Sequence, residues 1–364
     1  MRRAVLLLFI LFCSVVFPPG SHAQKISLIL LGDLHYDRME DHFMGYFEDK
    51  PGDLRQVKEY TEWTENHWGD FMERVRKKTE SKDFPAAAIL QAGDLSEGLA
   101  GSEALAEQMA RHTMEAIETT DMPVPWILAK GNHDITGPGA KHAFTQYYLP
   151  MIRKQTGRPD IRSANYSYQF QQIKVVCLDP WDRDTDPLAF LDRELSGSEA
   201  TYKFVLVHEP LIPVTERCWH LYREEPEKRE KMLEIIGRNG AIVCCGHLHR
   251  YSVVRRTTAS GPVVQVMAVS VVRDRDYLVP DEVIRVYGPT LAEDTPDWQP
   301  ETLETRKAML ADEARYVTFY QQTDLPGFAR ITINPGQDQV NLEYYAAFGE
   351  EPFDTVDLSS LQHP

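Results

Sequence analysis

Five short apolar segments of this chain lead into side chains that can ligate metal ions. Segments 26–31 and 87–92 are followed by Gly32-Asp33-Leu34-His35 and Gly93-Asp94. Segments 124–129, 204–207 and 241–245 lead into Gly131-Asn132-His133-Asp134, His208-Glu209-Pro210 and Gly246-His247-Leu248-His249. Apolar runs of this length predict buried strands. Ligand-type residues at the carboxyl ends of successive strands are typical of functional sites in α/β folds.

Helical patterns lie between several of these strands. Apolar residues recur at steps near three and four in segments 54–75 and 105–117. A third helix is predicted to begin at Pro226 and to end at Asn239-Gly240. Two further apolar runs, 173–178 and 263–268, predict two more strands. The alternation of strand and helix indicates an α/β layered domain.

Each motif is a weak signal by itself, because Asn and Asp also favour ordinary turns. In this order, and all at strand ends, the motifs together predict a metal site. The donor set holds carboxylates, imidazoles and one amide oxygen but no thiolate, which suits zinc, iron or manganese. Seven ligand side chains are too many for one ion that keeps an open position. They suit two ions about 3.5–4 Å apart, bridged by one carboxylate and one water-derived oxygen.

The order of the motifs resembles that of the calcineurin-like metallophosphoesterase superfamily. That pattern is Asp-x-His, Gly-Asp, Gly-Asn-His-Asp/Glu, a lone His and Gly-His-x-His, and all five blocks occur between Asp33 and His249. The resemblance implies an α/β fold of two β-sheets sandwiched between helices, an αββα sandwich. It also implies a metal-dependent hydrolase that cleaves phosphoesters.

The resemblance further implies a role for each motif residue. The seven metal ligands would be Asp33, His35 and His249 on one ion, Asn132, His208 and His247 on the other, and Asp94 on both. A hydroxide bridging the two ions would attack phosphorus. His133 would protonate the leaving group as a general acid, and Asp134 would hold its imidazole in place.

The motifs say less about the substrate than about the metal centre. Purple acid phosphatases carry a tyrosine ligand shortly after Gly-Asp and a glycine where this chain has His35, whereas Leu95, Ser96 and Glu97 follow Asp94 here. An iron-tyrosinate centre is therefore disfavoured. We favour a small-molecule phosphodiester over a phosphomonoester, and a lipid headgroup is a third option. A non-catalytic, metal-dependent binding protein on the same fold is the rival from another class.

The first 23 residues have the layout of a secretory signal peptide. Arg2 and Arg3 precede an apolar run from Ala4 to Val16, and Ser21-His22-Ala23 ends in a small residue. The run is shorter than the roughly 20 residues that a membrane span needs. We therefore expect cleavage, a secreted or periplasmic protein, and a catalytic domain over residues 24–364 without a membrane span.

The net charge argues against a nucleic-acid-binding protein, and the cysteines leave their pairing open. The 364 residues carry 39 basic and 55 acidic side chains, a formal net charge of −16. Such an acidic chain repels polyanions, so nucleic-acid binding is not expected. Four of the five cysteines follow the signal segment, namely Cys177, Cys218, Cys244 and Cys245. Their pairing and the oligomeric state cannot be predicted from the sequence.

The C-terminal part carries two kinds of pattern. An acidic, proline-containing insert is expected around 274–325, as a cap, a subunit contact or a specificity element, with a helical pattern at 302–317. Segments 328–333 and 340–346 alternate as strands around Asn334-Pro335-Gly336. We expect them to be edge strands that complete the second sheet.

Overall fold

Two mixed β-sheets form the centre of the computed structural model, which describes residues 24–271, 283–347 and 349–363. The predicted signal segment lies outside these residues. The first sheet has six strands in the order β13-β12-β11-β1-β2-β3. In chain order these strands are β1 (Ile26–Leu31), β2 (Ala86–Gln91), β3 (Trp126–Leu128), β11 (Gly327–Asn334), β12 (Gln339–Ala346) and β13 (Asp354–Asp357).

The second sheet has seven strands in the order β10-β8-β9-β7-β6-β5-β4. They are β4 (Tyr166–Phe170), β5 (Ile173–Cys177), β6 (Tyr202–Leu206), β7 (Ile242–Cys245), β8 (Tyr251–Thr258), β9 (Gly261–Met267) and β10 (Val317–Thr323). Strands β1, β2 and β3 run parallel to one another, as do β5, β6, β7 and β9. Their carboxyl ends therefore meet along one side of the molecule.

The described residues also form helices around the two sheets. They are α1 (Pro51–Thr79), α2 (Glu103–Thr119), α3 (Ala140–Ala143), α4 (Leu149–Thr156), α5 (Pro187–Ser196), α6 (Pro226–Arg238), α7 (Leu303–Ala314) and α8 (Leu358–Gln362). The N-terminus of α2 is capped by the hydroxyl of Ser102, which accepts a hydrogen bond from the Leu105 amide. Proline occupies the first turn of α1, α5 and α6, where its missing N–H is not needed.

Two hydrophobic clusters define the layers. In the larger one, the rings of Tyr251 on β8 and Tyr344 on β12 stack with centroids 3.8 Å apart, so the two sheets face each other. Phe71 of α1 packs edge-on against Phe328 of β11 on the outer side of the first sheet. In the second cluster, Leu233 of α6 packs with the outer face of the second sheet. The order helix, sheet, sheet, helix confirms the predicted sandwich.

The predicted position of the C-terminal strands is wrong. Strand β11 pairs antiparallel with β1, so the two predicted strands extend the first sheet rather than the second, and β13 forms the edge beyond them. Segment 283–325 is also part of the fold, because β10 pairs with β8. Strands β4, β8, β10 and β13 were not predicted. A local alternation of polar and apolar residues cannot reveal a pairing partner some 300 positions away.

Other features concern the surface and the thiols. Within the described ranges, no helix has the length and apolar character that a membrane crossing requires. The four cysteines after the signal segment are buried free thiols in the structure. Trp63 and Trp68 of α1 are buried in the larger cluster.

Candidate metal centre

The motif residues meet where strand ends of the two sheets approach each other. Asp33 lies two residues after β1 and forms a parallel bridge with Val269, which follows β9 of the other sheet. The amides of Leu34 and His35 both donate to the Asp94 carbonyl, at 3.0 and 2.9 Å, which fixes the loop after β1 against the loop after β2. The fold thus brings together side chains that lie more than 200 positions apart.

One group of potential ligands contains Asp33, His35 and His249. Each offers a donor atom, and these atoms all lie within 4.8 Å of one another. The Nε2 atoms of His35 and His249 are 3.0 Å apart, and Nε2 of His249 lies 3.8 Å from Oδ1 of Asp33. The Asp33 carboxylate also accepts the amide N–H of His247 at 2.8 Å, which holds it in place.

The second group contains Asp94, His208 and His247, with Asn132 beside them. Nε2 of His208 lies 3.1 Å from Oδ2 of Asp94, 3.0 Å from Oδ1 of Asn132 and 3.1 Å from Nδ1 of His247. Nδ1 of His208 donates to the Ala92 carbonyl at 2.9 Å, so Nε2 is the nitrogen turned toward the oxygens. Oδ2 of Asp94 also lies 3.8 Å from Nε2 of His35, which places this carboxylate between the two groups.

The loops that carry these side chains are strained. His35, Asp94, His247 and His249 have φ angles of +43°, +54°, +77° and +51°, in the left-handed region that non-glycine residues rarely adopt. Such backbone persists only where its surroundings hold it, and it concentrates at functional sites. Gly131 is required for a different reason, because a Cβ at this position would lie 2.1 Å from Oδ1 of Asp94.

The electrostatics fit a pair of cations. Asp33 and Asp94 are almost fully buried, and among the described residues only histidines lie within ion-pairing distance of either carboxylate. Burial raises the pKa of Asp33 to about 7, with Asp94 adding to the rise and His208 opposing it. Burial lowers the pKa of His208, but the Asp94 carboxylate outweighs it and raises that pKa to about 10. The oxygens around Nε2 of His208 thus favour a positive charge there.

Asp134 lies in a different position from the expected one. Its carboxylate accepts four backbone N–H groups, from Gly131, Asp94, Leu95 and Ser96, at 2.8 to 3.2 Å. The His133 imidazole is held by Glu97 instead, because its Nδ1 donates to the Glu97 carbonyl at 2.7 Å. The predicted contact between Asp134 and the imidazole is therefore wrong. Asp134 organises the loops that present Asp94 and Asn132.

Three contributors to the site were missed in the sequence. Oε2 of the fully buried Glu97 lies 2.7 Å from Nδ1 of His35. Gln56 donates to Oε1 of Glu97 at 2.9 Å, and its amide nitrogen lies 3.5 Å from Nε2 of His133. The Tyr60 ring stacks on His35 with centroids 4.3 Å apart. Gln56 and Tyr60 lie four positions apart and so share one face of α1. This spacing is common in helices, and no functional motif in the sequence includes the two residues.

A cleft of about 680 Å³ opens above the centre. Asp94, Asn132, His133, His247 and His249 contribute to its floor. Its walls come from α1 and from the loops after β6 and β7, through Arg55, Gln56, Glu59, Tyr60, Glu216, Arg217, Trp219, Leu248 and Arg250. The ligand groups are thus accessible to a molecule of moderate size from one side.

A family model described as calcineurin-like phosphoesterase matches residues 26–251. The match covers more than half of the chain and contains every motif residue. The chain belongs to the calcineurin-like phosphoesterase family. A search by sequence against curated proteins gives no match.

Solved structures resemble this family member at low sequence identity. A dimetal phosphatase from Danio rerio has a TM-score of 0.51 and 12% identity, over 92% of this chain and 99% of that one. PhoD has a TM-score of 0.49 and 10% identity, over 93% and 70% of the two chains. GAP50, the anchor in the inner membrane complex of Plasmodium, has a TM-score of 0.49 and 11% identity, over 92% and 89%. The first likeness shows that the fold is shared.

Proposed function

We propose that this protein is a dinuclear-metal phosphodiesterase. The observation that carries the proposal is the position of Asp94 between two buried ligand groups, with His133 beside them at the floor of an open cleft. One ion would be held by Asp33, His35 and His249, and the other by Asn132, His208 and His247, with Asp94 on both. Manganese, iron and zinc all suit this donor set.

Two bound ions would lower the pKa of a shared water and neutralise charge on the phosphoryl oxygens. The residues of the chain supply the rest. Backbone N–H groups hold Asp33 and, through Asp134, the loop of Asp94, so contacts within the chain position both carboxylates. The Nδ1–H of His35 can donate a hydrogen bond to the Glu97 carboxylate, which leaves Nε2 of that ring free to ligate.

His133 has the geometry of a general acid. A carbonyl oxygen can only accept, so Nδ1 of His133 carries the proton that binds Glu97, and Nε2 is the nitrogen available to the substrate. In the imidazolium form, Nε2–H would donate a proton to the departing alkoxide. The amide nitrogen of Gln56 on α1 lies 3.5 Å from this Nε2, so the leaving group would depart on the α1 side of the cleft.

A phosphodiester suits the cleft better than a monoester does. The cleft has walls on both the α1 side and the Trp219 side of the ligand groups, so it offers a surface to each of two ester substituents. A phosphomonoester would use only one of them. Monoester hydrolysis remains the alternative within the same chemistry.

The test compares two chromogenic esters. Protein stripped of metal is reloaded in turn with manganese, zinc and iron, and the hydrolysis of bis-p-nitrophenyl phosphate is compared with that of p-nitrophenyl phosphate. We expect metal-dependent turnover with a higher kcat/KM for the diester. A preference for the monoester would replace the phosphodiesterase by a phosphatase.

A binding protein without catalysis is the second candidate. It would retain the ligand groups and bind a phosphoester without cleaving it. The presence of His133 beside the ligand groups favours the enzyme, because a purely binding site has no use for a general acid. Two bound ions, measurable affinity for phosphate and no turnover of any ester would support the binding protein.

We also propose that the protein is exported. The proposal rests on the N-terminal pattern described above, which lies outside the residues that the structure describes. Mass spectrometry of protein recovered from outside the cytoplasm should show a chain that begins at Gln24. A chain that keeps its first 23 residues there would contradict the proposal.

A further inference from the structure

Three arginines line the cleft of a chain whose net charge is strongly negative. Arg55 lies on the α1 wall, and Arg217 and Arg250 lie on the opposite wall formed by the loops after β6 and β7. Arg250 is engaged by Asp324, 2.7 Å from its Nε. Arg217 is less firmly paired, because its nearest carboxylate oxygen, from Glu216, is 3.9 Å away and its side chain is 45% exposed.

Two tryptophans hold the Arg217 guanidinium in place. Its central carbon lies 5.3 Å from the ring centre of Trp219 and 5.6 Å from that of Trp298, both within the range of a cation–π interaction. The two rings meet edge to face at 5.6 Å. Trp298 belongs to the acidic C-terminal insert, so this segment contributes directly to the surroundings of the cleft.

A buried arginine supports this arrangement from below. Arg306 of α7 is only 4% exposed and donates to the carbonyls of Glu216 and Trp298, at 2.7 and 2.9 Å. Its guanidinium also lies 5.1 Å from the Trp298 ring centre. No carboxylate among the described residues lies within ion-pairing distance of Arg306. Its charge therefore adds to the positive potential around Arg217.

This cluster and His133 lie on different flanks of the centre. The His133 ring packs edge-on against His35 with centroids 4.8 Å apart, next to Gln56 and Glu97. The Trp219 ring instead lies 5.8 Å from His247 of the other ligand group. A leaving group protonated by His133 departs on the first flank. The second flank, toward Arg217, would then be open to the substituent that stays on phosphorus.

Resting on the proposed function, we propose that Arg217, Trp219 and Trp298 form a subsite for an anionic group, a carboxylate or a second phosphoryl, on the retained substituent of the diester. Two bound metal ions would neutralise the scissile phosphoryl group, which would leave the guanidinium for another anion. Arginine suits this role because its planar fork pairs with carboxylate and phosphate oxygens.

The test uses three p-nitrophenyl diesters with the same leaving group and different retained arms. The arms are carboxymethyl, ethyl and choline, which are anionic, neutral and cationic. We expect kcat/KM to fall in that order, and the preference for the anionic arm to weaken as salt is added. In Arg217→Gln, the ratio of kcat/KM for the anionic over the neutral arm should fall by about five- to tenfold.

Two variants control for nonspecific effects. Arg217→Lys keeps the charge and should retain part of the preference. Arg238→Gln removes an arginine that pairs with Asp192 away from the cleft and should leave the ratio unchanged. Equal kcat/KM for the anionic and neutral arms in the wild-type protein, or an unchanged ratio in Arg217→Gln, would overturn the subsite.

A binding measurement separates this inference from the proposed function. Calorimetry on metal-loaded protein compares phosphonoacetate with ethylphosphonate, which differ by a carboxylate and carry no cleavable ester. Tighter binding of phosphonoacetate that is lost in Arg217→Gln would support the subsite even if no diester is hydrolysed. The absence of hydrolysis would then contradict only the proposed phosphodiesterase activity. Hydrolysis without any effect of Arg217 on the two affinities would contradict only the subsite.

Discussion

Oε2 of Glu97 lies 2.7 Å from Nδ1 of His35, on the side of the imidazole opposite to the ligand group. Both side chains are fully buried, and the Gln56 amide holds the other carboxylate oxygen at 2.9 Å. A carboxylate behind a histidine fixes the ring and makes its free nitrogen a better ligand. We therefore expect Glu97 to be a positioning residue for the proposed metal centre.

Replacing Glu97 by glutamine should weaken metal binding. Burial, with Asp37 adding to it, raises the pKa of Glu97 well above its usual range, and two bound cations would favour its ionised form. Glu97→Gln keeps the size of the side chain but cannot carry that charge, so the affinity for one ion should fall by about 10–100-fold. Metal content measured against a competing chelator checks this. Glu304→Gln, at a side chain that is 86% exposed, is the matched control. Equal affinities in the wild-type protein and Glu97→Gln would argue against a positioning role.

Removing the imidazole of His133 should slow the chemistry without removing the metal. In His133→Ala, kcat should fall by about 10²–10⁴-fold for an ester with an alkoxide leaving group, because no acid protonates it. The loss should be much smaller for p-nitrophenolate, which leaves readily without a proton. Single-turnover rates for the two esters check the prediction. An equal loss with both leaving groups would show that His133 is not the general acid.

Asp134 should matter for stability more than for proton transfer. Asp134→Ala leaves four buried N–H groups without their acceptor, and each unsatisfied group costs about 1–3 kcal/mol. The free energy of unfolding, measured in urea, should fall by at least about 3 kcal/mol. Asp160→Ala, at an exposed carboxylate, should change it little. A stable Asp134→Ala protein with slow turnover would instead support the orienting role that the sequence predicts.

His220 should make the folded protein sensitive to acid. Burial, with Arg229 and Arg223 adding to it, lowers the pKa of His220 to about 3, compared with about 6.5 in the unfolded chain. Between about pH 3 and pH 6.5 the unfolded state therefore binds a proton that the folded state does not bind. Neutral His220 therefore costs the folded state nothing above about pH 6.5. The free energy of unfolding decreases as the pH falls from 6.5 toward 3, by about 2 kcal/mol at pH 5.

Unfolding in urea at pH 7 and pH 5 tests this linkage. In His220→Asn the decrease in the free energy of unfolding between the two pH values should be about 2 kcal/mol smaller than in the wild-type protein. His142→Asn, at a histidine whose side chain is 70% exposed, is the control. The same decrease in His220→Asn and the wild type would show that His220 does not contribute to acid sensitivity.

The sequence predicts nine of the thirteen described strands and the motif loops, because these depend on neighbouring residues. The strand Ile26–Leu31 has the predicted bounds, and the ligand-type residues lie at strand ends as expected. The partner of a strand is decided by distant packing, which is why the pairing of β11 with β1 could not be foreseen. The same limit applies to Glu97, whose contact with His35 depends on how the loop after β1 packs against the loop after β2.

The cleft walls show this limit most clearly. Trp298 meets Trp219 across 79 positions of chain, and nothing in the local sequence of either residue indicates the contact. The resemblance implies that Asp134 orients the His133 imidazole. The backbone between them turns so that the carboxylate faces the amides of the neighbouring loop instead.

Anomalous diffraction from crystals of the manganese-loaded protein tests the dinuclear centre most directly. We predict two ions per chain, about 3.5–4 Å apart, with the Asp94 carboxylate between them. One of them should be bound by Asp33, His35 and His249, and the other by Asn132, His208 and His247. A single ion, or two ions that do not share Asp94, would contradict the dinuclear centre from which the proposed chemistry follows.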